Sequence, residues 1–123
     1  MGSCKDLIAF KKAYSLATDI LTISKSFPPD ERYSLTDQIR RSSRSVCVNL
    51  GEAYRRRQYP AHFLSKLADC DAENTETEIW IQFCFDCKYI NEAQFKDLSE
   101  RCAEVGRIIG YMIKNPGKFS ASH

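Results

Sequence analysis

Histidine is almost missing from this chain. Apart from His123 at the C-terminus there is only His62, so a Ser/His/Asp or Cys/His nucleophilic site would have to be built around that one residue, and nothing near it recommends this. Glycine (five) and proline (four) are also scarce, and there is no glycine-rich phosphate loop and no paired-carboxylate motif. With 43% hydrophobic and 28% charged residues, the composition excludes a disordered or low-complexity chain. No apolar run is long enough to cross a membrane, and the first residues do not read as a signal peptide, so the expectation is a cytoplasmic protein without membrane contact. Met1-Gly2-Ser3-Cys4 begins like an N-myristoylation signal, but that signal needs Ser or Thr at the sixth position, where this chain has Asp6. At 123 residues the chain fits one domain, 1–123.

Cysteine is not scarce. Cys4, Cys47, Cys70, Cys84, Cys87 and Cys102 would suggest disulfides in a small secreted domain, but without a signal peptide they read as reduced thiols. Cys84-Phe85-Asp86-Cys87 is a CxxC, yet the other cysteines are lone and widely spaced, unlike the paired ligands of structural zinc sites. A redox CxxC would have its first thiol at a helix N-terminus, whereas this one falls near a predicted C-terminus. The expectation is no metal, no cofactor, no catalytic residue and no enzymatic activity.

Apolar spacing organises the chain into four helices. In 5–26, Leu7, Phe10, Tyr14, Ala17 and Leu21 recur at intervals of three and four, one helical stripe, and Phe27-Pro28-Pro29 stops it. Ser34 is placed to cap a second helix over 35–57, with Asp37 favourable at its positive end. There Leu35, Ile39, Val46, Leu50 and Ala53 share a face, opposite Arg40, Arg44 and Arg55, with Arg41 on the outer side. Pro60 suits the first turn of a third helix over 61–87, although 79–85 alone is apolar enough to pass for a buried strand. Asn91 is a plausible cap for a fourth helix over 92–114, in which Phe95, Leu98, Cys102, Val105, Ile109 and Met112 repeat with heptad spacing before Asn115-Pro116-Gly117. Short connections between long helices force antiparallel neighbours, predicting an all-α, up-down-up-down antiparallel four-helix bundle.

Two features exceed what a bundle needs. Leu16 and Ile23, with Ala9, lie outside the first helix's stripe, and Ile79, Trp80 and Phe83 make the third helix apolar nearly all round; a second copy covering these five large residues is the expectation. Conversely Asp71, Asn74 and Glu78 lie on the core side of the third helix. Two readings stay open for them: partners near Arg40, Asn49 or Glu52 on the second helix, or a solvated edge.

Charge is unevenly placed. Residues 1–57 carry 11 Lys/Arg against 6 Asp/Glu, while residues 58–123 carry 7 against 10. Six of the nine arginines fall in the second helix. Guanidinium forks bind phosphate oxygens bidentately, so Arg44, Arg55, Arg56 and Arg57, with Lys11 and Lys12 on the first helix, are the candidate residues for RNA, DNA or another partner. Arg40 and Arg41 read instead as structural partners for the acids of the third helix, Asp69, Asp71, Glu73, Glu76 and Glu78. Cations at a helix C-terminus also stabilise it by about 0.3–1 kcal/mol each without any ligand, which weakens the signal of the triple arginine. Tyr54 and Tyr59 flank that triplet and read as packing residues before they read as base-stacking platforms.

Several blocks in order, Leu7 to Ala17, Phe27-Pro28 with Glu31 to Thr36, Gln38 to Ser42, and Asn49 with Glu52, resemble the bacterial 23S ribosomal RNA intervening-sequence proteins, strongly from Leu7 to Glu52 and more weakly after it. The chain departs where that family reads Asn-Ile-Ala-Glu-Gly, here Asn49-Leu50-Gly51-Glu52-Ala53, and Glu-Leu-Glu-Thr-Gln-Leu, here Asn74 to Ile79, keeping Glu52, Glu76 and Thr77. The resemblance implies a left-handed up-down bundle assembled as a ring of identical subunits, a homopentamer. A related bundle, the accessory variability determinant of diversity-generating retroelements, is a basic pentamer that partners a reverse transcriptase and nucleic acid. The functional expectation is a non-enzymatic homo-oligomeric interaction module binding RNA or DNA through the second helix. The alternative is a protein-binding scaffold or accessory subunit, for example of a reverse transcriptase, without nucleic-acid contact. Arg40, Arg41, Asn49, Glu52 and Glu76 are then the structural polar contacts.

Overall fold

The computed structural model describes residues 4–119, and the opening residues of the myristoylation-like segment and the last four residues lie outside them. It contains four α-helices and no strand among the described residues: α1 (Ile8–Ser24), α2 (Leu35–Arg55), α3 (Pro60–Asp86) and α4 (Glu92–Lys114). Each helix packs against two neighbours, α2 on α1 and α3, and α4 on α3 and α1, which closes an up-down-up-down four-helix bundle. No described helix is long and apolar enough to cross a membrane.

The helix ends differ from expectation in instructive ways. The first helix begins later than residue 5, because Cys4–Asp6 forms a separate 3-10 turn ahead of it. It ends at Ser24, where the amides of Lys25, Ser26 and Phe27 turn to carbonyls three residues back. The second helix stops at Arg55 by the same tightening, with Arg57 N bonded to Tyr54 O. Pro60 takes the first position of α3, where its missing N–H is not needed. Asn91 caps α4 through a full capping box: its side chain accepts from Gln94 N at 2.7 Å, and Gln94 Oε1 accepts from Asn91 N at 2.9 Å.

Ser34 does not cap α2. Its hydroxyl donates to Glu31 Oε1 at 2.6 Å, and the same carboxylate oxygen accepts from Leu35 N at 3.3 Å. The carboxylate three residues upstream therefore serves the free end of the helix, and it carries more charge to the positive end than a hydroxyl can.

The core-facing stripe of α1 is also rotated from the predicted one. Ala9, Ala13, Leu16, Ala17, Ile20 and Ser24 are buried, whereas Tyr14, assigned to the stripe, is 60% exposed. Three alanines let α1 approach its neighbours closely, and the bulkier Phe10 and Tyr14, stacked at 5.8 Å, are displaced to its flank.

The core has two parts. One gathers Val46, Leu50, Phe63, Leu67, Val105 and Ile109 around the alanines of α1, and the other gathers Leu16, Ile20, Ile39, Ile81, Leu98 and Ile90. Along α2, α3 and α4 a polar layer falls between them. The hydroxyls of Ser42 and Thr77 meet at 2.8 Å, and Asn74 Nδ2 donates to the Cys102 carbonyl at 3.0 Å. Of the three polar residues expected on the core side of α3, only Asn74 is buried. Asp71 and Glu78 are exposed, and Asn74 finds its partner on α4, not on α2.

Candidate functional site

The corner between α2 and α3 collects the arginine triplet. Glu52, Tyr54, Arg55, Arg56, Arg57, Gln58 and Tyr59 line an open cleft of about 730 Å³. The corner is built by the end of α2 and by Pro60, with Tyr59 N bonded to Arg56 O at 2.9 Å and Phe63 N to Tyr59 O at 2.9 Å.

The three arginines are not equivalent. Arg57 folds back on its own helix: its guanidinium lies 3.6 Å from the centre of the Tyr54 ring, and Nη1 donates to the Tyr54 carbonyl at 3.0 Å. Arg55 and Arg56 are exposed and make no ion pair among the described residues. The one acid in the cleft is engaged elsewhere, since Glu52 accepts from Lys66 Nζ at 3.0 Å, an interaction that raises the pKa of Lys66. Tyr59, 57% exposed, faces the ring of His62 at 6.1 Å between centroids. The corner thus presents two guanidinium groups without ion pairs among the described residues beside an exposed tyrosine, a combination suited to phosphates and bases.

The other candidate cations do not join this cleft. Arg44 is exposed midway along α2, beside a groove of about 310 Å³ lined by Tyr14, Ala17, Thr18, Leu21, Cys47 and Val48. Lys11 is exposed on α1, and Lys12 pairs with Glu104 of α4 at 3.3 Å.

The residues expected to make structural contacts fall into two groups. Arg41 pairs with Glu73 at 3.3 Å and with Glu76, joining α2 to α3; the hydrogen bond to Glu73 is the main cause of its raised pKa. Arg40 does not meet an acid of α3 as expected: its Nε donates to Ser24 Oγ at 2.7 Å, joining α2 to α1. Asn49 does not link helices, because its side chain bonds back to Ser45 O at 3.0 Å on its own helix, whereas Glu52 joins α2 to α3 by accepting from Lys66 Nζ at 3.0 Å.

Of the five residues assigned to a second copy, Leu16 is 2% exposed and belongs to the core, because the rotated face of α1 turns it inward. Ile23 and Trp80 are half-buried against the same core cluster. Ile79 and Phe83, four residues apart on α3, stay open at 51% and 50%. Sequence reading missed a second apolar surface, Tyr14 with Val48 at 61%, because Tyr14 had been counted into the core stripe.

The thiols sit mostly inside. Burial pushes Cys47 up to about 11 and Cys70, Cys84 and Cys102 up to about 12, while Cys87 is exposed. All six are free.

Comparison with known proteins places this geometry in context. The family profile described as 23S rRNA-intervening sequence protein matches residues 5–111. Among solved structures, the chain is similar to a protein of unknown function from the S23 ribosomal protein family of Bacteroides thetaiotaomicron, with 27% identity and a TM-score of 0.80 over 89% of this chain and 98% of that one. No curated protein matches it in sequence.

Proposed function

Because this chain belongs to the 23S rRNA-intervening sequence protein family, we propose that it is a non-enzymatic, cytoplasmic interaction module that binds RNA or DNA at the corner between α2 and α3. The observation that carries this reading is the pair Arg55 and Arg56, exposed and without ion pairs among the described residues, beside the exposed Tyr59. Their position at the C-terminal end of α2 gives them a structural use as well, but that use does not need both side chains free in a cleft. The buried thiols, and His62 set against the Tyr59 ring, support an interaction role over nucleophilic chemistry. Six free thiols suit a reducing compartment.

Binding to a structured RNA, titrated over a range of salt, tests the reading. Affinity falls steeply with salt, and each arginine replaced in Arg55→Ala and Arg56→Ala lowers the salt slope by about 1. Salt-insensitive binding, or equal binding by the double variant, would sink it.

Exposed Ile79 and Phe83 favour self-association, a ring of five copies by the family resemblance, and the same face would serve a scaffold or accessory-subunit role toward another protein. Sedimentation should show a species well above the 14.1 kDa of one chain, and Phe83→Glu should dissociate it. A wild-type monomer overturns the self-association.

A further inference from the structure

At the other end of α2, where the chain leaves α1 through Phe27, Pro28 and Pro29, a smaller cleft of about 270 Å³ opens. Its lining includes three cations, Lys25, Arg32 and Arg40, and no acid. Of the acids nearest in sequence, Asp30 and Asp37 form no ion pair with them among the described residues, and Glu31, next to Arg32, is engaged by Ser34, Leu35 and Tyr89.

Arg40 differs from an ordinary surface arginine because it is held at its root. Its Nε donates to Ser24 Oγ at 2.7 Å, and Ser24 is 2% exposed and itself bonded to the Leu21 carbonyl at 3.0 Å. The guanidinium is therefore oriented before any ligand arrives, and its two terminal nitrogens have no partner among the described residues. A planar group fixed in this way presents a two-pronged donor edge that matches a tetrahedral oxyanion and loses little freedom on binding.

An independent observation points to a ligand in the same place. Thr36, in the first turn of α2, lines the cleft and is only 5% exposed, yet its Oγ1 has no hydrogen-bond partner. A buried hydroxyl left without a partner is unfavourable and uncommon, and a ligand oxygen would relieve it.

We propose that this cleft binds a terminal phosphate, either inorganic phosphate or the phosphate of a small monoester. Arg40 supplies the fixed fork, Lys25 and Arg32 supply further positive charge, and Thr36 hydrogen-bonds an oxygen. The volume, just below the ~300 Å³ at which pockets for larger ligands begin, suits a phosphate with a small organic group and not a polynucleotide strand. The site is separate from the arginine corner and does not depend on it.

The test titrates the full chain with inorganic phosphate, with adenosine monophosphate and with acetate, following backbone amide shifts. Saturable shifts at Lys25, Arg32, Thr36 and Arg40 with phosphate are expected, and comparison with the nucleotide tells free phosphate from monoester. Acetate should produce none. Thr36→Val, nearly isosteric and suited to a buried position, keeps the fold and weakens binding several-fold. Arg40→Gln weakens it by about tenfold or more, as the loss of charge-assisted hydrogen bonds implies. Arg55→Ala with Arg56→Ala leaves it unchanged. Absence of saturable shifts with both phosphates, equal shifts with acetate, or undiminished binding by Thr36→Val and Arg40→Gln would overturn the proposal.

Discussion

Tyr89 donates its hydroxyl to Glu31 Oε2 at 2.7 Å, joining two connections that lie 58 residues apart in the chain. The other oxygen of the same carboxylate accepts from Ser34 Oγ and Leu35 N, so one side chain caps α2 and fastens the α1–α2 connection to the α3–α4 connection. Phe27, packed 5.6 Å from the Tyr89 ring, covers the contact from the core side.

Replacing Glu31 with Gln should therefore lower stability near neutral pH by about 1 kcal/mol, the usual worth of a helix cap. The hydrogen bonds from Ser34 and then Tyr89 hold Glu31 below the usual carboxylate range, so its contribution is present above the ordinary carboxylate pKa and is lost as pH falls through the lowered one. Denaturation curves of wild type and Glu31→Gln should converge in acid. Tyr89 has the opposite sign: its hydrogen bond to Glu31 pushes it up to about 12, so its contribution is present below 10 and lost as pH rises through about 12. Ultraviolet titration should show one late-ionising tyrosine that ionises earlier in Glu31→Gln. An unchanged titration would mean that the contact does not form in solution.

The residue before this tyrosine carries a local strain. Lys88 has φ of 64°, and the amides of Tyr89 and Lys88 bond back to the carbonyls of Cys84 and Phe85 at 2.8 and 2.9 Å, a Schellman ending for α3. Glycine is the usual residue there, since any other side chain in the left-handed region costs roughly 1–2 kcal/mol. Lys88→Gly should raise the unfolding midpoint and leave the Tyr89 titration intact. A loss of stability would show that Lys88 makes a contact worth more than the strain.

How far the sequence could be read depended on whether one pattern dominated. In α2 the residues Leu35, Ile39, Val46, Leu50 and Ala53 are the only apolar row, and all are buried. In α4 the heptad row is buried from Leu98 to Met112, with Phe95 half-buried. Helix α1 offers two apolar rows, and large Tyr14 and Phe10 outweighed small alanines in the pattern although close packing favoured the alanines. Asn74 was recognisable as an anomaly but not as a contact, because its partner is a backbone carbonyl, and a carbonyl has no sequence signature. Likewise the arginine triplet was legible, but the division of labour within it was not, since it rests on Arg57 turning onto Tyr54.

Thiol reactivity should report the bundle directly. Cys87 is exposed, whereas Cys47, Cys70, Cys84 and Cys102 are buried with thiols raised to between about 11 and about 12. An aromatic disulfide reagent under mildly alkaline, native conditions should label Cys87 rapidly and those four only at the rate of unfolding. Mass spectrometry of partially labelled protein distinguishes the sites. Fast labelling of Cys70 or Cys102 would mean that the polar middle of the core opens without global unfolding.

Two glycines of α4 separate helix propensity from packing. A Cβ at Gly110 would meet nothing within 4 Å, so Gly110→Ala should stabilise by up to ~1 kcal/mol, the propensity difference between the two residues. A Cβ at Gly106 would lie 3.1 Å from Asn74 Nδ2. Asn74 has little room to give way, because that nitrogen is tied to the Cys102 carbonyl at 3.0 Å and its Oδ1 lies 3.4 Å from Cys102 Sγ. Gly106→Ala should therefore lose the propensity gain and destabilise the wild-type chain. In an Asn74→Ala background the obstacle is gone, and the same substitution should stabilise, as at Gly110. A double-mutant cycle measured by denaturant unfolding gives the coupling directly. If Gly106→Ala and Gly110→Ala have equal effects in the wild-type background, Asn74 is not fixed against α4, and the polar layer does not set the spacing of α3 and α4.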